Sequence, residues 1–321
     1  MEIFKHDANI NFLGMRKVSI AIAVFLIVAS LGLIFTKGLN YSLDFTGGVL
    51  VEVDYAKPVN IADVRADLTK AGFDNAVVQG LGGTREFSIR MQPKDDPAAL
   101  KAKTNADRAD KVATDVRAAL SASRPDVTIK RHDFVGPQVG QELRTDGVYA
   151  VIFVIIFIMA YLWMRFEKRF AVAAVLTEIH DALVTVGILA LTHREFDLTV
   201  LASVLAVVGY SVNDKVVVFD RVRELFRLAR KAEPQEVLNR AINNTLSRTI
   251  ITSLFTAITM GALAILGGPA VHGFAVTMLI GIVVGTLSSI FVASPILLWL
   301  GVTKKDLMPV SKENPELARR P

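Results

Sequence analysis

LTVLASVLAVVGYSVNDKVVVF, residues 198–219, is an apolar run that carries an aspartate, Asp214, and a lysine, Lys215, close to its end. At about 1.5 Å of rise per residue it is long enough to cross a bilayer as a helix. Ionisable groups inside a span cost a few kcal/mol even on lenient insertion scales, so they usually face a protein interior or a water path. Arg248, at the start of the next apolar run, offers a partner. Sixteen residues separate Leu198 from Asp214, and seventeen separate Arg248 from Ile265. In an antiparallel pair both charges therefore lie roughly 24 to 26 Å from the outer face, and an Asp214–Arg248 ion pair in the inner third of the membrane is expected.

Working outward, such runs recur. With 52% hydrophobic residues and a mean hydropathy of +0.44, the chain shows long apolar stretches that read as spans. They are Val18–Phe35, Val148–Met164, Phe170–Leu191, Leu198–Phe219, Ile250–Leu266 and Phe274–Leu300. The fold class is thus an α-helical polytopic membrane protein with six transmembrane helices. The last run is longer than a bilayer needs, so it is expected to tilt or protrude. The first is longer than a usual signal-peptide core and lacks a small-x-small cleavage site, so a retained anchor is expected.

Lysines and arginines in short loops set orientation. Arg16 and Lys17 precede the first run, and Arg165, Lys168 and Arg169 fill the turn between the second and third. Arg221, Arg223, Arg227, Arg230, Lys231 and Arg240 lie between the fourth and fifth, and Lys304 and Lys305 follow the sixth. Of the alternate connections the two short ones carry only Arg194, balanced by Glu195 and Asp197, and the long 37–147 segment does not report orientation, so both termini are expected in the cytoplasm. This gives a cytoplasmic N-terminus and first span over 1–36, an external domain over 37–147, five spans over 148–302, and a polar tail over 303–321 that is expected to be disordered. The net charge of +5 invites a nucleic-acid reading, but most basic residues near spans act as orientation signals, so no nucleic acid is expected. The absence of cysteine excludes disulfides, thiolate metal sites and cysteine lipidation.

In the external segment the pattern predicts strands over Val49–Tyr55, Ala76–Leu81, Glu86–Met91 and Val127–Phe134. One helix follows Asn60, with Ile61, Val64, Leu68 and Phe73 on its apolar side, and another covers Pro97–Ala122, with Leu100, Ala109, Val112, Val116 and Leu120. Gly82-Gly83 joins the second and third strands. The order β-α-β-β-α-β is ferredoxin-like. About 85 residues suffice for one small two-layer α+β domain, not for a substantial enzyme site.

Within the membrane the third run holds Glu178, His180 and Asp181. Thr177, Asp181 and Thr185 share a helix face, and Asp181 is expected about 9 Å outward of Asp214. Protons can then hop between the carboxylates through hydroxyls and water, or His180 and Asp181 serve only as interhelical hydrogen bonds. For Asp214 the structural alternative is an ion pair that fixes helix register. The functional one is that protonation breaks the pair and shifts the helices, since moving a cation away from a carboxylate changes its proton affinity. In the sixth run Gly273, Thr277, Gly281, Gly285, Ser289 and Ala293 recur every four residues. This small-residue stripe lets another helix approach closely, within the bundle or at a seam between subunits. Asp44-Phe45-Thr46-Gly47-Gly48 leads from the first span into the first strand, and its glycines suit a turn.

These strings, with Gly209-Tyr210-Ser211-Val212-Asn213-Asp214, Val216-Val217-Val218-Phe219-Asp220-Arg221, Leu246-Ser247-Arg248-Thr249 and the glycine-rich last span, resemble in order and content the SecF family. The likeness runs from the first span to about Gly301. It implies a resistance-nodulation-division transporter fold in the bacterial plasma (inner) membrane, with SecD supplying six further spans. The implied role is an accessory subunit of the Sec protein-export translocase, not an enzyme. It would use the proton motive force to complete export of unfolded preproteins beside the SecYEG channel, with YajC and YidC as further partners. Its coupling ion would be the proton, with no cofactor and no metal. Asp214 and Arg248 align with the family's relay pair. Asp181, His180 and Asn213 are the further relay candidates, and Asp44, Gly47, Gly48, Gly281 and Gly285 are the motif and packing positions.

Two residues depart from the expected pattern. Lys215 follows Asp214 where a small hydroxyl residue is usual; it either adds a cation beside the aspartate or snorkels to the inner surface. Glu178 either adds a carboxylate to the path or pairs with Lys215. Among other classes, an intramembrane aspartyl protease would use Asp181 and Asp214, but Gly-x-Gly-Asp is absent and Arg248 would spoil an acid dyad. A self-contained small-molecule exporter would contain both halves, an ATPase would show a Gly-x4-Gly-Lys-Ser/Thr loop, and a purely structural assembly subunit would tolerate neutralisation of Asp214.

Overall fold

The computed structural model describes residues 10–81, 83–91, 105–228 and 233–303. A 3-10 turn, Phe12–Met15, leads into α1 (Arg16–Lys37), followed by β1 (Asn40–Tyr41), α2 (Leu43–Thr46), β2 (Gly48–Tyr55), α3 (Ile61–Lys70), β3 (Val77–Gly80), β4 (Glu86–Met91), α4 (Asn105–Ser121) and β5 (Val127–Val135). Then come α5 (Pro137–Arg165), α6 (Lys168–Thr192), β6 (Glu195–Phe196), α7 (Leu198–Leu228), α8 (Pro234–Leu266), α9 (Pro269–Phe291) and α10 (Ala293–Trp299). Two compact units emerge. One comprises Tyr41–Ala150 with Glu195–Leu198, and the other holds the remaining described residues.

The first unit is a two-layer α+β domain. Its sheet order is β3-β4-β2-β5 with every neighbouring pair antiparallel, which is the split β-α-β arrangement that the order of elements predicts. Alternation decides which face is buried: Val49, Val51, Val53 and Tyr55 of β2 are within 1% of full burial, while Leu50, Glu52 and Asp54 point the other way. Val64 and Leu68 of α3 and Ala113, Val116 and Leu120 of α4 cover that face. Each such apolar side chain contributes about 1.5–3 kcal/mol. Burial also pushes the Tyr55 hydroxyl up to about 12, so it stays neutral. Asn60 caps α3, accepting from the Ala62 amide at 2.9 Å. The first eight residues expected in the second helix, with Leu100, lie outside the described residues, as do Gly82, Arg230, Lys231 and the tail beyond Thr303.

The second unit is helical. Six helical segments among the described residues are long and apolar enough to cross a membrane: Phe12–Lys37, Gln138–Arg165, Lys168–Thr192, Leu198–Leu228, Pro234–Leu266 and Ala270–Trp299. Burial divides them. More than half of the apolar window is enclosed in α6 and in α9 with α10, and half in α7, against 11% in α1, α5 and α8. Two of the inner helices, α6 and α7, carry the buried ionisable residues Glu178, His180, Asp181, Asp214 and Lys215. Such groups need protein around them at membrane depth. Ahead of α1, the Phe12 and Leu13 amides donate to Asn239 Oδ1 on α8.

The sixth run is not a single continuous helix. It breaks at Val292 between α9 and α10. Pro295 lies three residues on, and its ring conflicts with the carbonyl of the residue four before it, Phe291, where α9 stops.

In lipid no hydrophobic force drives helices together, so close backbone approach matters more. The small-residue stripe of α9 supplies it against α7. A Cβ on Gly281 would stand 2.1 Å from Val207 Cγ2, and one on Gly285 would stand 2.8 Å from Ser211 Oγ. Val207 cannot rotate away cheaply, because a β-branched side chain on a helix has one favoured rotamer. Gly281→Ala is accordingly expected to destabilise the helical unit by about 1–3 kcal/mol, lowering the midpoint of heat-induced aggregation in detergent. Gly261→Ala, where the new methyl meets nothing within 4 Å, should leave that midpoint in place.

Candidate functional site

Helical spacing builds the site from α6 and α7. On α6, Thr177, Glu178, Asp181 and Thr185 recur at intervals of one to four and all are buried. On α7, Ser211, Asp214, Lys215 and Val218 form the buried face, while Asn213 is exposed.

Lys215 is wholly enclosed. Its ammonium donates to Glu178 Oε1, to Asp181 Oδ2 at 2.7 Å and to Ser211 Oγ at 2.6 Å. Asp181, also fully buried, accepts two further bonds at Oδ2, from Ser211 Oγ at 2.5 Å and from Ser288 Oγ of α9 at 2.6 Å. Its Oδ1 lies 2.8 Å from His180 Nδ1. Glu178 is thus Lys215's partner, and Lys215 does not snorkel. Two carboxylates and two hydroxyls offer the ammonium and its neighbours more hydrogen bonds than the route along its stem to the surface.

The expected Asp214–Arg248 ion pair is not formed. Arg248 is exposed, and its interaction with Asp214 is through space only, alongside that of Lys215. Counting residues from helix ends matched the two in depth; it carried no information about azimuth, and Arg248 points off the packed face of α8. Asp214 itself is 3% exposed, and its Oδ2 is buried without a hydrogen-bond partner. The expected hydroxyl path also differs. Thr177 and Thr185 donate to the carbonyls of Ala173 and Asp181 on their own helix, so the hydroxyls that reach Asp181 are those of Ser211 and Ser288. Beyond Asp214, Ser253 of α8 and Thr286 of α9 share a 2.7 Å hydrogen bond.

At the far end of α7, Phe219 is fully buried and packs edge-on against Phe166 and Phe170. Asp220 meets Arg165 at 2.5 Å and Arg223 at 3.5 Å, and both guanidinium groups lie over the Phe166 ring. Ser211, Ser288, Arg165 and Arg223 were not singled out from sequence as site residues. The one available signal was the four-residue spacing of Ser211 and Lys215, which puts them on a common face.

In the first unit, Asp44 Oδ2 accepts from the Leu198 amide at 3.1 Å, one of the donors that a helix start leaves unsatisfied. The Ser42 amide donates to Phe196 O at 2.9 Å, and Tyr41, Phe45 and Phe196 pack their rings together. Gly47 and Gly48 have φ of +66° and +124°, and a Cβ on Gly48 would stand 2.6 Å from Met91 O. Gly47 requires glycine for its backbone conformation, and Gly48 on both counts. Arg90 donates to Tyr41 O at 2.9 Å and pairs with Glu195 at 3.3 Å.

Residues 32–59 match the family model for the SecD/SecF GG motif, and residues 115–303 match that for the C-terminal region of the SecD/SecF protein export membrane proteins. The chain belongs to the SecD/SecF family. A protein translocase subunit SecF of Pseudomonas aeruginosa is 45% identical over 301 residues, 94% of each chain. That of Vibrio alginolyticus is 42% identical over 322 residues, covering all of this chain and 99% of its own. Among solved structures, SecDF of Thermus thermophilus, described as a translocon-associated membrane protein, superposes with a TM-score of 0.80 at 35% identity. The match takes in 92% of this chain and 39% of that one, so the chain spans well under half of the SecDF polypeptide. This SecD/SecF-family chain is a multi-pass membrane protein. The GG-motif match contains Asp44, Gly47 and Gly48, and the C-terminal match contains every residue of the buried α6–α7–α9 cluster.

Two outcomes test this geometry. Asp44→Ala removes a cap, which is expected to cost about 1 kcal/mol locally and to speed hydrogen exchange at the Leu198 amide. Burial holds the Glu195 carboxyl above its ordinary range, with Arg90 opposing. The folded unit therefore binds that proton more tightly than the unfolded chain does. The resulting stabilisation is complete below the ordinary glutamate value of 4.5 and is lost as pH rises through the raised value. Relative to wild type, Glu195→Gln should thus gain stability as pH is raised through that window, measured by exchange of the Ser42 amide.

Proposed function

We propose that this chain is a proton-driven accessory subunit of the bacterial Sec protein-export translocase, completed by a SecD partner in the plasma membrane. The observation that carries the reading is Asp214: a carboxylate buried within a span, with Oδ2 unpartnered. Such a group either binds a proton or waits for a partner, and both make it responsive to the membrane's proton gradient. One charge moved across 100 mV is worth about 2.3 kcal/mol, enough to bias a two-state helix arrangement. His180 and Asp181 extend the path from Asp214 by way of Lys215 and Ser211.

Asn213 and Arg248 lie beside Asp214 on faces that this chain leaves exposed. Polar groups at membrane depth call for protein or water around them, and six further spans from SecD would supply it. The likeness to a SecDF chain of which this one spans 39% supports that pairing. The loop charges support cytoplasmic termini and a periplasmic position for the Tyr41–Ala150 unit. In this reading the subunit works on unfolded preproteins beside SecYEG, with YajC and YidC as neighbours, protons as the coupling ion and no other cofactor.

Inverted vesicles carrying this chain and SecD test the reading. Asp214→Asn at matched protein levels is expected to lose the gradient-dependent completion of preprotein export while still assembling with SecD. Export at the wild-type rate would instead make the chain a structural subunit without its own relay.

A further inference from the structure

We propose that Glu178, Asp181 and Lys215 form a second proton-binding site, distinct from Asp214, in which Glu178 carries one proton and Lys215 serves as a fixed internal cation. Its place in the export cycle rests on the proton-driven reading above; its existence does not.

Hydrogen-bond counting assigns the charges. Lys215 Nζ faces three acceptors, Glu178 Oε1, Asp181 Oδ2 and Ser211 Oγ, and three donated bonds require the ammonium form. Asp181 Oδ2 faces three donors, Lys215, Ser211 and Ser288, and Oδ1 lies 2.8 Å from His180 Nδ1, which donates in the tautomer that carries its proton there. A group that only accepts is the carboxylate. Glu178 differs. Its Oε1 faces Lys215, whereas Oε2 is buried with no hydrogen-bond partner.

With both acids ionised, the cluster would hold one positive and two negative charges, a net charge of −1. Glu178 and His180 are 5% and 4% exposed, and Asp181 and Lys215 not at all, so an unbalanced charge there carries the full cost of desolvation. On α6 itself His180, whose Nδ1 lies 2.8 Å from Asp181, is the competing place for the balancing proton, and a glutamate-specific carbonyl band separates the two. Among the described residues α1 has basic groups only near its ends, and α9 and α10 bring hydroxyls and, away at the start of α9, His272. On α8 the nearest cation, Arg248, is exposed. On α7 the neighbouring ionisable group is Asp214, which adds negative charge. One proton on Glu178 Oε2 makes the cluster neutral. Its release leaves both carboxylates pulling on Lys215, which tightens the tie between α6 and α7 one residue from Asp214.

Infrared spectroscopy of the full chain with SecD in lipid vesicles at neutral pH reads this directly. A buried protonated carboxyl gives a carbonyl stretch that ionised surface acids lack. The expected band shifts on 13C-glutamate labelling of the wild-type protein and not on 13C-aspartate labelling, disappears in Glu178→Gln, and persists in Asp214→Asn. Lys215→Met, which removes the internal cation, is expected to add a second protonated carboxyl that shifts with 13C-aspartate. A wild-type spectrum without a glutamate-derived band would overturn the proposal, as would a Glu178→Gln spectrum that retains it. The labelling arm needs no mutant and so stands even where a variant fails to assemble. Failure of the Asp214 reading would leave the Glu178 band in place, and absence of the band would leave the Asp214 export result untouched.

Discussion

The enclosed ammonium of Lys215 organises the helical unit. It is held between two acids of α6 and a serine of its own helix, and Ser288 of α9 completes the coordination of Asp181. A cation in that position is tolerable only because every donor is used. Breaking one side of a buried pair typically costs 3–5 kcal/mol, since the remaining charge is stranded. The cluster therefore sets both the rotation of α7 and the distance between α6, α7 and α9. Asp214, next along α7, inherits its position from that rotation.

Around this centre the constraints differ between the two units. The α+β domain is held by alternation and burial in water, with Val49, Val51, Val53 and Tyr55 of one strand turned onto α3 and α4. The helical unit has no such driving force in lipid, so van der Waals fit and hydrogen bonds act instead. Glycines of α9 admit Val207 and Ser211 of α7, and that close approach is what lets the Ser288 hydroxyl reach Asp181. The Asp44 motif serves a different end. Its glycines occupy left-handed and crowded positions, and its carboxylate holds the Leu198 amide.

Membership of the SecD/SecF family accounts for the order of the motifs, and packing accounts for the acids and the lysine within the spans. Lys215 and Glu178, which looked like isolated departures from a family pattern, are two halves of one interaction. A basic substitution on α7 is compatible with burial because an acid stands opposite it on α6. Read one at a time, each residue looks like a liability. Together they bring a buried charge close to balance.

Hydropathy and turn chemistry alone placed the six spans, the α+β domain with its strand order, and the ionisable residues that matter, because period, length and charge are local properties of a chain. The same reading set Asp181, Asp214 and Arg248 at useful depths, since rise per residue is nearly constant. It could not orient them. Pairing across helices depends on azimuth, which packing fixes to within a side chain, so Arg248 turned outward, Thr177 and Thr185 bonded to their own backbone, and Ser211 and Ser288 took the places expected of them. The kink at Val292 went unread in the sequence, although Pro295, whose ring removes room from the preceding turn, marks it. The enclosure of Lys215 came from tertiary structure alone, because only the approach of α6 and α9 to α7 brings two acids to its ammonium and a second serine to Asp181.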